Sequence, residues 1–596
     1  MLQNVICFEP STDRWINFLA KEILPTRPVR RETRTARLAL PAVSTSRQHR
    51  IFMMKIFTRL RPLVWLAILC PATVLAADYQ WSAPLGDGRA FLWIPPTCKQ
   101  LRAVIVGQNN MIEQGIFESD YFRKEMAQLD IAEIFIAPPF DTWQSATNND
   151  HANAQLDALL KSFAENSGYG ELQFAPIIPI GHSAMASYPW NFAAWNPART
   201  LAILSVHGDA PQTTLVGNGR PNVDWSARNI DGIPGLMVMG EYEWWEDRLT
   251  PALKFRAEHP QSPIAFLAEP GNGHFNYSDE LVKFLALFIR KSVEQRLPDT
   301  FSPNQPPILK PINPTNGWLV ERWHLNQSRT VKPAPFAKYS GDPKDAFWAF
   351  DKEMALATQN YFADQPGKSP QLLGFVQDGK IVPQTETHQQ VNLKFAPDAD
   401  GVTFHLGAAF LNYVPVISSR LAKWTGLPTN SALGHANGTI KISRISGPVE
   451  KISADTFRVQ FDRVYSTPDK RNFDIWLLAS QSGDAKYKNI VQQSLLRIPT
   501  FNSGAEQHIL FAEIPNQKVG TKSIPLNATS DSGRRVYFYI REGPAEIDGD
   551  ILRFTKIPPR AKFPVKVTVV AWQLGCAGKL KLKSATPVTR EFFLTK

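Results

Sequence analysis

Between residues 83 and 297, short apolar runs alternate with segments in which apolar residues recur every three or four positions. Continuous short runs are typical of buried strands, and the longer spacing is typical of helices that bury one face. The runs predict strands at 89–94, 101–107, 132–137, directly before Gly181, and at 201–206, 235–240 and 264–268. The clearest helical stripe contains Leu281, Phe284, Leu285, Phe288 and Ile289. This alternation predicts an α/β domain with a mostly parallel sheet and helices on both faces.

Beyond residue 316 the helical spacing nearly disappears, and only 342–362 keeps it. Strand-like runs follow at 391–395, 401–406, 439–443, 456–464, 473–479, 535–542, 551–554 and 565–572. Many short strands separated by turn residues predict β-sandwich modules. The segments FYIREGPAEIDGDILRF and PVKVTVVAW near the C-terminus resemble bacterial immunoglobulin-like domains appended to secreted enzymes. The resemblance implies a spacer or a substrate-docking role.

The two halves are joined by a Pro-rich stretch that predicts a stiff, extended connector. We therefore expect six segments along the chain. They are an upstream leader at 1–53, a signal peptide at 54–77, the α/β domain at 78–297, the linker at 298–316, a β-rich middle domain at 317–503 and an immunoglobulin-like β-sandwich at 504–596.

The segment from Met53 or Met54 has the pattern of a secretory signal peptide: basic residues, the apolar run 63–69 and a cleavage region at 74–76. Its apolar run is too short for a typical membrane span. We expect a secreted or periplasmic protein with no stable membrane insertion after cleavage. Residues 1–53 are interpreted as an upstream start, with a genuine basic leader as the alternative. A lipid anchor on Cys70 is less favoured, since Leu69 precedes it where a small residue is required.

Charge and cysteine content narrow the classes of function. Residues 1–77 contain twelve Lys and Arg against four Asp and Glu, so they carry +8 of the formal net charge of +11. The remaining +3 does not argue for nucleic-acid binding. Cys98 and Cys576 are the cysteines beyond the signal peptide, and either a disulfide or two separate thiols is compatible with their spacing. No zinc motif, phosphate-binding loop or dinucleotide fingerprint is present, so we expect neither a metal nor a cofactor.

The most informative stretch is FAPIIPIGHSAMASY at 174–188. An apolar run that stops at Gly181 and continues into a helical segment places Ser183 at a tight strand-to-helix turn, where its hydroxyl is exposed above a sheet. Acidic residues follow the strand that ends at Gly240, and His274 lies in a Gly-rich loop after the last predicted strand. The chain order is thus Ser, acid, His.

Residues 85–297 resemble an α/β-hydrolase domain, with GHSA as the nucleophile elbow and GNGH as the histidine loop. The resemblance implies that Ser183 is the nucleophile and His274 the base, with Glu243 as the favoured acid. Glu241, Asp247 and Asp209 remain alternatives. The implied oxyanion hole combines the backbone N–H of Ala184 with that of Gln108 or Asn109 in the loop after the 101–107 strand.

Three residues depart from a regular elbow. Met185 occupies a position where the family usually has a small residue, and Pro176 and Pro179 lie where each removes a hydrogen-bond donor from the predicted central strand. We therefore expect a locally irregular elbow.

Aromatic residues are frequent around these motifs, and Trp244 and Trp245 directly beside Glu243 are the predicted substrate contacts. Together these features predict a secreted serine esterase acting on an ester substrate, with acetyl or methyl esters of a decorated polysaccharide favoured. A serine peptidase, a lipid or polyester esterase, and a non-catalytic carbohydrate-binding protein on a hydrolase scaffold are the alternatives.

Overall fold

The computed structural model describes residues 79–139, 143, 149–214, 221–243, 246–361, 365–385, 390–416, 422, 424–577 and 581–596. These residues belong to one compact unit, Ala76–Lys596. The predicted leader at 1–53 and signal peptide at 54–77 lie outside the described residues. Within the described part of the chain, no helix is both long and apolar enough to cross a membrane.

An eight-stranded sheet forms the centre of the first half, with the strand order β1-β2-β4-β3-β5-β6-β7-β8. β1 and β2 form an antiparallel hairpin, β2 is antiparallel to β4, and the other neighbours are parallel. The strands are β1 Trp81–Leu85, β2 Gly88–Trp93, β3 Ala103–Gln108, β4 Ile131–Ala137, β5 Ile177–His182, β6 Ile203–Val206, β7 Gly235–Gly240 and β8 Ile264–Glu269. This arrangement confirms the predicted α/β-hydrolase fold.

Among the residues described, six helices flank this sheet, and the alternation of strand side chains explains why both faces are covered. Ala103 and Ile105 of β3 point into one apolar core, whereas Val104 and Val106 point into another. A strand buried on both faces has this continuous apolar sequence. The helices are α1 Glu113–Phe117, α2 Asp120–Gln128, α3 Asn149–Ser167, α4 Tyr188–Trp195, α5 Glu246–Glu258 and α6 Asp279–Arg296.

The predicted stripe on α6 is buried along its whole length, and the Ser278 hydroxyl caps the helix by accepting the Leu281 N–H. The short strand β1 and the helices α1 and α5 were not predicted. β1 is an edge strand, α1 has only five residues, and Pro251 interrupts the sequence of α5, so none of the three has a strong periodic signal.

The Pro-rich residues 298–316 lie against the α/β domain. The Lys310 N–H donates to Arg296 O and the Ile312 N–H donates to Gly232 O. Leu309 and Ile312 are buried in the core that contains α6. These hydrogen bonds and buried side chains hold parts of the stretch against the α/β domain, and its last residues form the 3₁₀ turn Pro314–Asn316.

The second half consists mainly of small sheets, as the strand pattern predicts. The sheets follow the orders β10-β9-β11, β13-β12-β16, β14-β21-β20-β17, β15-β19-β18, β22-β25, β23-β30-β29-β26 and β24-β28-β27. Their elements are β9 Trp318–Glu321, β10 Ala334–Pro335, β11 Ala346–Ala349, α7 Lys352–Asn360, β12 Leu373–Gln377, β13 Lys380–Ile381, β14 Gln390–Leu393, β15 Thr403–His405, β16 Gly407–Phe410, β17 Lys441–Ser446, β18 Val449–Lys451, β19 Thr456–Val459, β20 Asp474–Gln481, β21 Ile490–Arg497, β22 Ile509–Phe511, β23 Gln517–Lys518, β24 Ser523–Pro525, β25 Ala528–Ser530, β26 Tyr537–Glu542, β27 Ala545–Asp548, β28 Ile551–Phe554, β29 Val565–Trp572 and β30 Val588–Thr595.

The helix predicted at 342–362 is only half correct. Its first part forms β11, which pairs with β9, and the helix α7 begins after it. Tertiary packing decides the outcome, because Phe347 of β11 stacks on Phe266 of β8 with ring centroids 4.9 Å apart.

Both β-rich regions share apolar cores with the α/β domain. One core joins Leu281 and Phe288 of α6 to Leu477 and Ile475 of β20. A second joins strands β1 and β2 to Val567 and Val569 of β29 and to other residues of the C-terminal region. Among the described residues, Cys98 and Cys576 keep separate thiols.

Candidate active site

Ser183 lies at the sharp turn after β5. Its backbone φ is +53°, in the left-handed region that non-glycine residues rarely adopt, and a single 3₁₀ turn, Ser183–Met185, follows it. Such strain at the end of a strand is typical of a nucleophile elbow.

The space around this turn depends on two glycines. A Cβ on Gly181 would lie 2.0 Å from the Met185 carbonyl oxygen, and a Cβ on Gly208 would lie 1.9 Å from Ala186 Cβ. The close approach therefore involves Ala186, one position after Met185, while the Met185 side chain is only half-buried. This explains how the elbow accepts Met185.

β5 is irregular at Pro179, as expected. On the side of β6, Ile177 pairs with Thr200 and Ile180 pairs with Leu204. The neighbouring segment therefore contains one more residue than β5 between these two pairs, which enclose the proline. The register shift accommodates a position that lacks an N–H. On its other side β5 keeps a regular register with β3.

Three of the predicted residues meet in one hydrogen-bonded line. Ser183 Oγ lies 2.6 Å from His274 Nε2, and His274 Nδ1 is bonded to Glu243 Oε2. Glu243 sits in the 3₁₀ turn Glu241–Glu243 directly after β7, where its Oε1 accepts the Gly240 N–H at 2.9 Å. Elements that end at the same edge of the sheet thus bring the hydroxyl, the imidazole and the carboxylate together.

The other carboxylates considered for the acid have different surroundings. Glu241 Oε1 lies 2.9 Å from Lys488 Nζ, and its Oε2 accepts the Gly271 N–H. Asp209 is buried 3.7 Å from Arg248 Nε, and Asp247 is exposed in the first turn of α5. Of the four candidates, Glu243 is the one bonded to His274.

The electrostatics of the line favour an ionised acid and a neutral base. Burial alone would raise the pKa of Glu243, but His274 and His207 beside it hold the pKa well below its usual range. Burial lowers the pKa of His274, and the Glu243 carboxylate opposes this effect only in part. His274 is therefore set to accept a proton near neutral pH.

The residues predicted to form the oxyanion hole differ in burial and in their place in the fold. Ala184 is exposed directly after Ser183, and Gln108 is the fully buried last residue of β3. The Asn109 N–H donates to Ile136 O at 2.7 Å and extends the ladder between β3 and β4. Gln108 also pairs with Ile136 in this ladder, so both residues predicted for the second donor lie within or directly after β3.

Glu113, which the sequence analysis missed, organises the loop after β3. Its Oε2 accepts the N–H groups of Asn110 and Met111, and its Oε1 accepts the His182 N–H at 2.8 Å. One buried carboxyl group thereby ties this loop to the residue before Ser183. Burial raises the pKa of Glu113 to about 7, against the effect of these N–H donors. The acidic first residue of a short helix was the available signal.

Two further missed residues, His207 and Glu269, lie behind Glu243. His207 follows β6 and is bonded through Nδ1 to Glu243 Oε1, while its Nε2 lies 3.1 Å from Glu269 Oε2 at the end of β8. The carboxyl ends of β6, β7 and β8 are adjacent, so polar residues at all three ends were the signal in the sequence.

Most of the described tryptophans in this half serve the core instead of a binding surface. Trp143, Trp190 and Trp225 are each about 1% exposed, and their indole N–H groups donate to Asn153 Oδ1, Asp209 O and Asn191 Oδ1, respectively. Trp244 and Trp245, the predicted substrate contacts, lie outside the described residues.

The β-rich middle region borders the site directly. Gln493 Nε2 lies 3.4 Å from Asn276 Oδ1, which accepts the Gly273 N–H within the histidine loop. Trp476 packs on Phe275 with ring centroids 5.3 Å apart, and Arg471 Nη1 donates to Asn110 O. Both loops that flank Ser183 are thus supported by this region. In the described part of the chain, no group of three His, Cys, Asp or Glu side chains is arranged to hold a metal ion.

No family model matches the sequence, and no curated protein matches it either. Among solved structures, the chain is similar to dienelactone hydrolase from Anabaena variabilis, with 13% identity, a TM-score of 0.25, and coverage of 37% of this chain and 98% of that chain. It is also similar to TT1662 from Thermus thermophilus, with 15% identity, a TM-score of 0.25, and coverage of 36% and 98%. A third similar structure is the acetyl ester-xyloside bifunctional hydrolase from Caldicellulosiruptor lactoaceticus, with 12% identity, a TM-score of 0.25, and coverage of 34% of this chain and 87% of that chain.

Proposed function

We propose that the protein is a serine hydrolase that cleaves carboxylic esters through an acyl-enzyme. The observation that carries this proposal is the continuous line from Ser183 Oγ through the His274 ring to the Glu243 carboxylate. A serine hydroxyl is a weak nucleophile until a positioned imidazole accepts its proton, and a carboxylate is needed to fix the imidazole tautomer.

In the proposed reaction Ser183 Oγ attacks the ester carbonyl while its proton passes to His274 Nε2. Glu243 stabilises the imidazolium through Nδ1, and His274 then delivers the proton to the departing alcohol. Water, deprotonated by the same ring, releases the acid from Ser183. The N–H group of Ala184 and that of Gln108 or Asn109 are the proposed oxyanion donors, with an effect of roughly 3–4 kcal/mol per donor in comparable sites.

A fluorophosphonate probe tests the chemistry without knowledge of the substrate. The purified protein should be labelled at Ser183, and Ser183→Ala should abolish labelling. Ser187→Ala is a matched control, since this buried serine lies four residues away, directly before α4, and outside the hydrogen-bonded line. If the wild-type protein is not labelled, or if Ser183→Ala is still labelled, the protein is a non-catalytic scaffold or the nucleophile is wrongly assigned.

For the substrate, we propose an acetyl or methyl ester on an exported polysaccharide. Three features support this class: the predicted signal peptide, Trp244 and Trp245 beside the acid, and β-rich regions appended to the hydrolase domain. Aromatic rings stack readily on sugar faces. We also propose that the protein acts outside the cytoplasm, in the periplasm or the medium.

A panel of esters distinguishes the substrate classes. Acetylated and methyl-esterified glycans should be hydrolysed faster than peptide, lipid and polyester substrates, with the Ser183→Ala variant as the blank. Turnover confined to peptides or to lipid esters would contradict the carbohydrate assignment while leaving the serine chemistry in place.

A further inference from the structure

Beside the candidate triad of Ser183, His274 and Glu243, a buried histidine, His207, contacts Glu243 on the side away from His274. Both ring nitrogens of His207 face carboxylates: Nδ1 is bonded to Glu243 Oε1, and Nε2 lies 3.1 Å from Glu269 Oε2. The side chains of His207 and Glu269 are fully buried, and that of Glu243 is 2% exposed. This arrangement goes beyond what the triad chemistry requires.

We propose that His207 is a positioning residue, held as an imidazolium between Glu243 and Glu269, which orients Glu243 towards His274 and offsets part of its negative charge. The inference rests on the proposed serine-hydrolase function.

The geometry supports a charged ring. An ionised carboxylate has oxygen acceptors only, so the Nδ1 that is bonded to Glu243 carries a proton. The 3.1 Å contact between Nε2 and Glu269 Oε2 lies outside hydrogen-bond geometry, and a proton on Nε2 makes this contact an ion pair. The other oxygen of Glu269, Oε1, accepts the Tyr361 hydroxyl at 3.1 Å and the Ser278 hydroxyl at 3.3 Å. Burial would lower the pKa of His207, but Glu243 and Glu269 raise it to about 10.

The remaining neighbours of His207 do not compete for this role. The ring of His182 is 5.8 Å away, and both of its nitrogens are engaged, Nε2 with His274 O and Nδ1 with the Asn110 amide. An amide N–H donates to one nitrogen and a carbonyl oxygen accepts from the other, so His182 is neutral. The pKa of His182 is accordingly well below its usual value, with burial as the main cause.

Glu243 has a partner on every side. Its Oε1 faces His207 and the Gly240 N–H, and its Oε2 faces His274 and Arg248 Nη1, the latter at 3.2 Å. Arg248 also approaches the buried Asp209, at 3.7 Å. Two cations, His207 and Arg248, therefore compensate the carboxylate that His274 uses.

This compensation has a consequence for the base. The ring centroids of His207 and His274 are 6.2 Å apart, so a positive charge on His207 disfavours protonation of His274. Replacing His207 by a neutral side chain leaves Glu243 more negative in effect, and the pKa of His274 should rise. A residue that only fills space would leave the pKa of His274 unchanged.

The first test is the pH dependence of fluorophosphonate labelling in the full chain. His207→Gln should move the acidic limb of the labelling rate to higher pH by about one unit. Glu269→Gln removes a negative charge and leaves His207 bonded to Glu243, so with His207 still charged the acidic limb should move to lower pH, opposite to the shift in His207→Gln. His405→Gln is the matched control, because His405 is an exposed histidine paired with Asp398 in the β-rich region. If the acidic limb of the labelling rate stays at the same pH in a folded His207→Gln protein, the inference is overturned.

The second test does not depend on activity or on a folded variant. In the ¹⁵N-labelled wild-type protein, both His207 nitrogens should remain protonated from pH 6 to pH 9, as read from imidazole ¹⁵N shifts and their N–H couplings. A single protonated nitrogen, or titration near pH 6.5, would refute the imidazolium. If the wild-type protein is not labelled by the probe but His207 is doubly protonated, the proposed function fails while the charge state stands.

Discussion

At the scale of single residues, Glu243 is the group on which the candidate site depends. Its carboxylate is buried and contacts four donors: His274, His207, Arg248 and the Gly240 N–H. A buried carboxylate is tolerated only when such donors replace its water shell. The ionised state of Glu243 is therefore a property of the whole cluster, and changes to its neighbours should alter activity through it.

Removal of any member of the hydrogen-bonded line should reduce kcat/KM, and removal of Glu243 should reduce it least. Ser183→Ala and His274→Ala should each cost about 10⁵- to 10⁶-fold, because nucleophile and base act as one unit. Glu243→Ala should cost less, about 10³- to 10⁴-fold, since the other two remain in contact. Steady-state kinetics on an activated ester measure all three. A silent Glu243→Ala together with an inactive Asp209→Ala would show that the acid is Asp209.

The pH profile should report the base. His274 must be neutral to accept the Ser183 proton, so activity is present above its pKa and is lost as the pH falls through it. Because burial lowers the pKa of His274 below 6.5, kcat/KM should be half-maximal below pH 6.5. Initial rates between pH 4 and pH 9 test this. A half-maximal rate above pH 7 would contradict the direction of the shift.

At the scale of secondary-structure elements, the site is built at the carboxyl ends of β5, β6, β7 and β8. Ser183, His207 and Glu243 follow β5, β6 and β7, Glu269 ends β8, and His274 lies in the loop beyond it. Parallel strands place all these ends at one edge of the sheet. The tight elbow between β5 and α4 requires close approach to the loop after β6, where Gly208 meets Ala186.

A pair of substitutions tests this contact. Gly208→Ala should destabilise the protein by about 1–3 kcal/mol, because the added methyl overlaps the Ala186 Cβ. Adding Ala186→Gly should recover much of that loss, whereas Ala186→Gly alone should cost no more than about 1 kcal/mol. Urea unfolding of the three variants measures the coupling. Equal and additive losses would mean that the two positions do not touch.

At the scale of the whole molecule, the β-rich half and the α/β domain form one packed structure. The β-rich half shares two apolar cores with the central sheet and supports the loops on both sides of Ser183. An ion pair between Lys488 and Glu241, 2.9 Å apart and nearly inaccessible to water, joins the two halves beside the acid turn. These contacts come from the β-rich middle region, which is therefore packed against the loops of the candidate site.

Breaking this buried ion pair should be costly. Lys488→Met leaves the Glu241 carboxylate without its cation and should lower the free energy of unfolding by about 3–5 kcal/mol. The double variant Lys488→Met, Glu241→Gln should be less destabilised than Lys488→Met alone, since no unpaired charge remains. Lys254→Met, at an exposed pair with Glu258, is the control and should have little effect. Equal effects of Lys488→Met and Lys254→Met would contradict the interface described for Lys488.

The sequence by itself determined the alternation of strands and helices and the order of Ser183, an acid and His274, because apolar periodicity and a tight glycine turn are local properties. It left four carboxylates open for the acid. The choice among them depends on how β7 and β8 place residues 31 positions apart, and the structure bonds Glu243 to His274. For Glu113, His207 and Glu269 the sequence carried only a weak local signal, an acidic residue at the start of a short helix and polar residues at strand ends. Their partners, like Gln493 beside Asn276 217 positions earlier, are brought together only by the sheet order and the shared cores, and such long-range contacts are decided by tertiary packing.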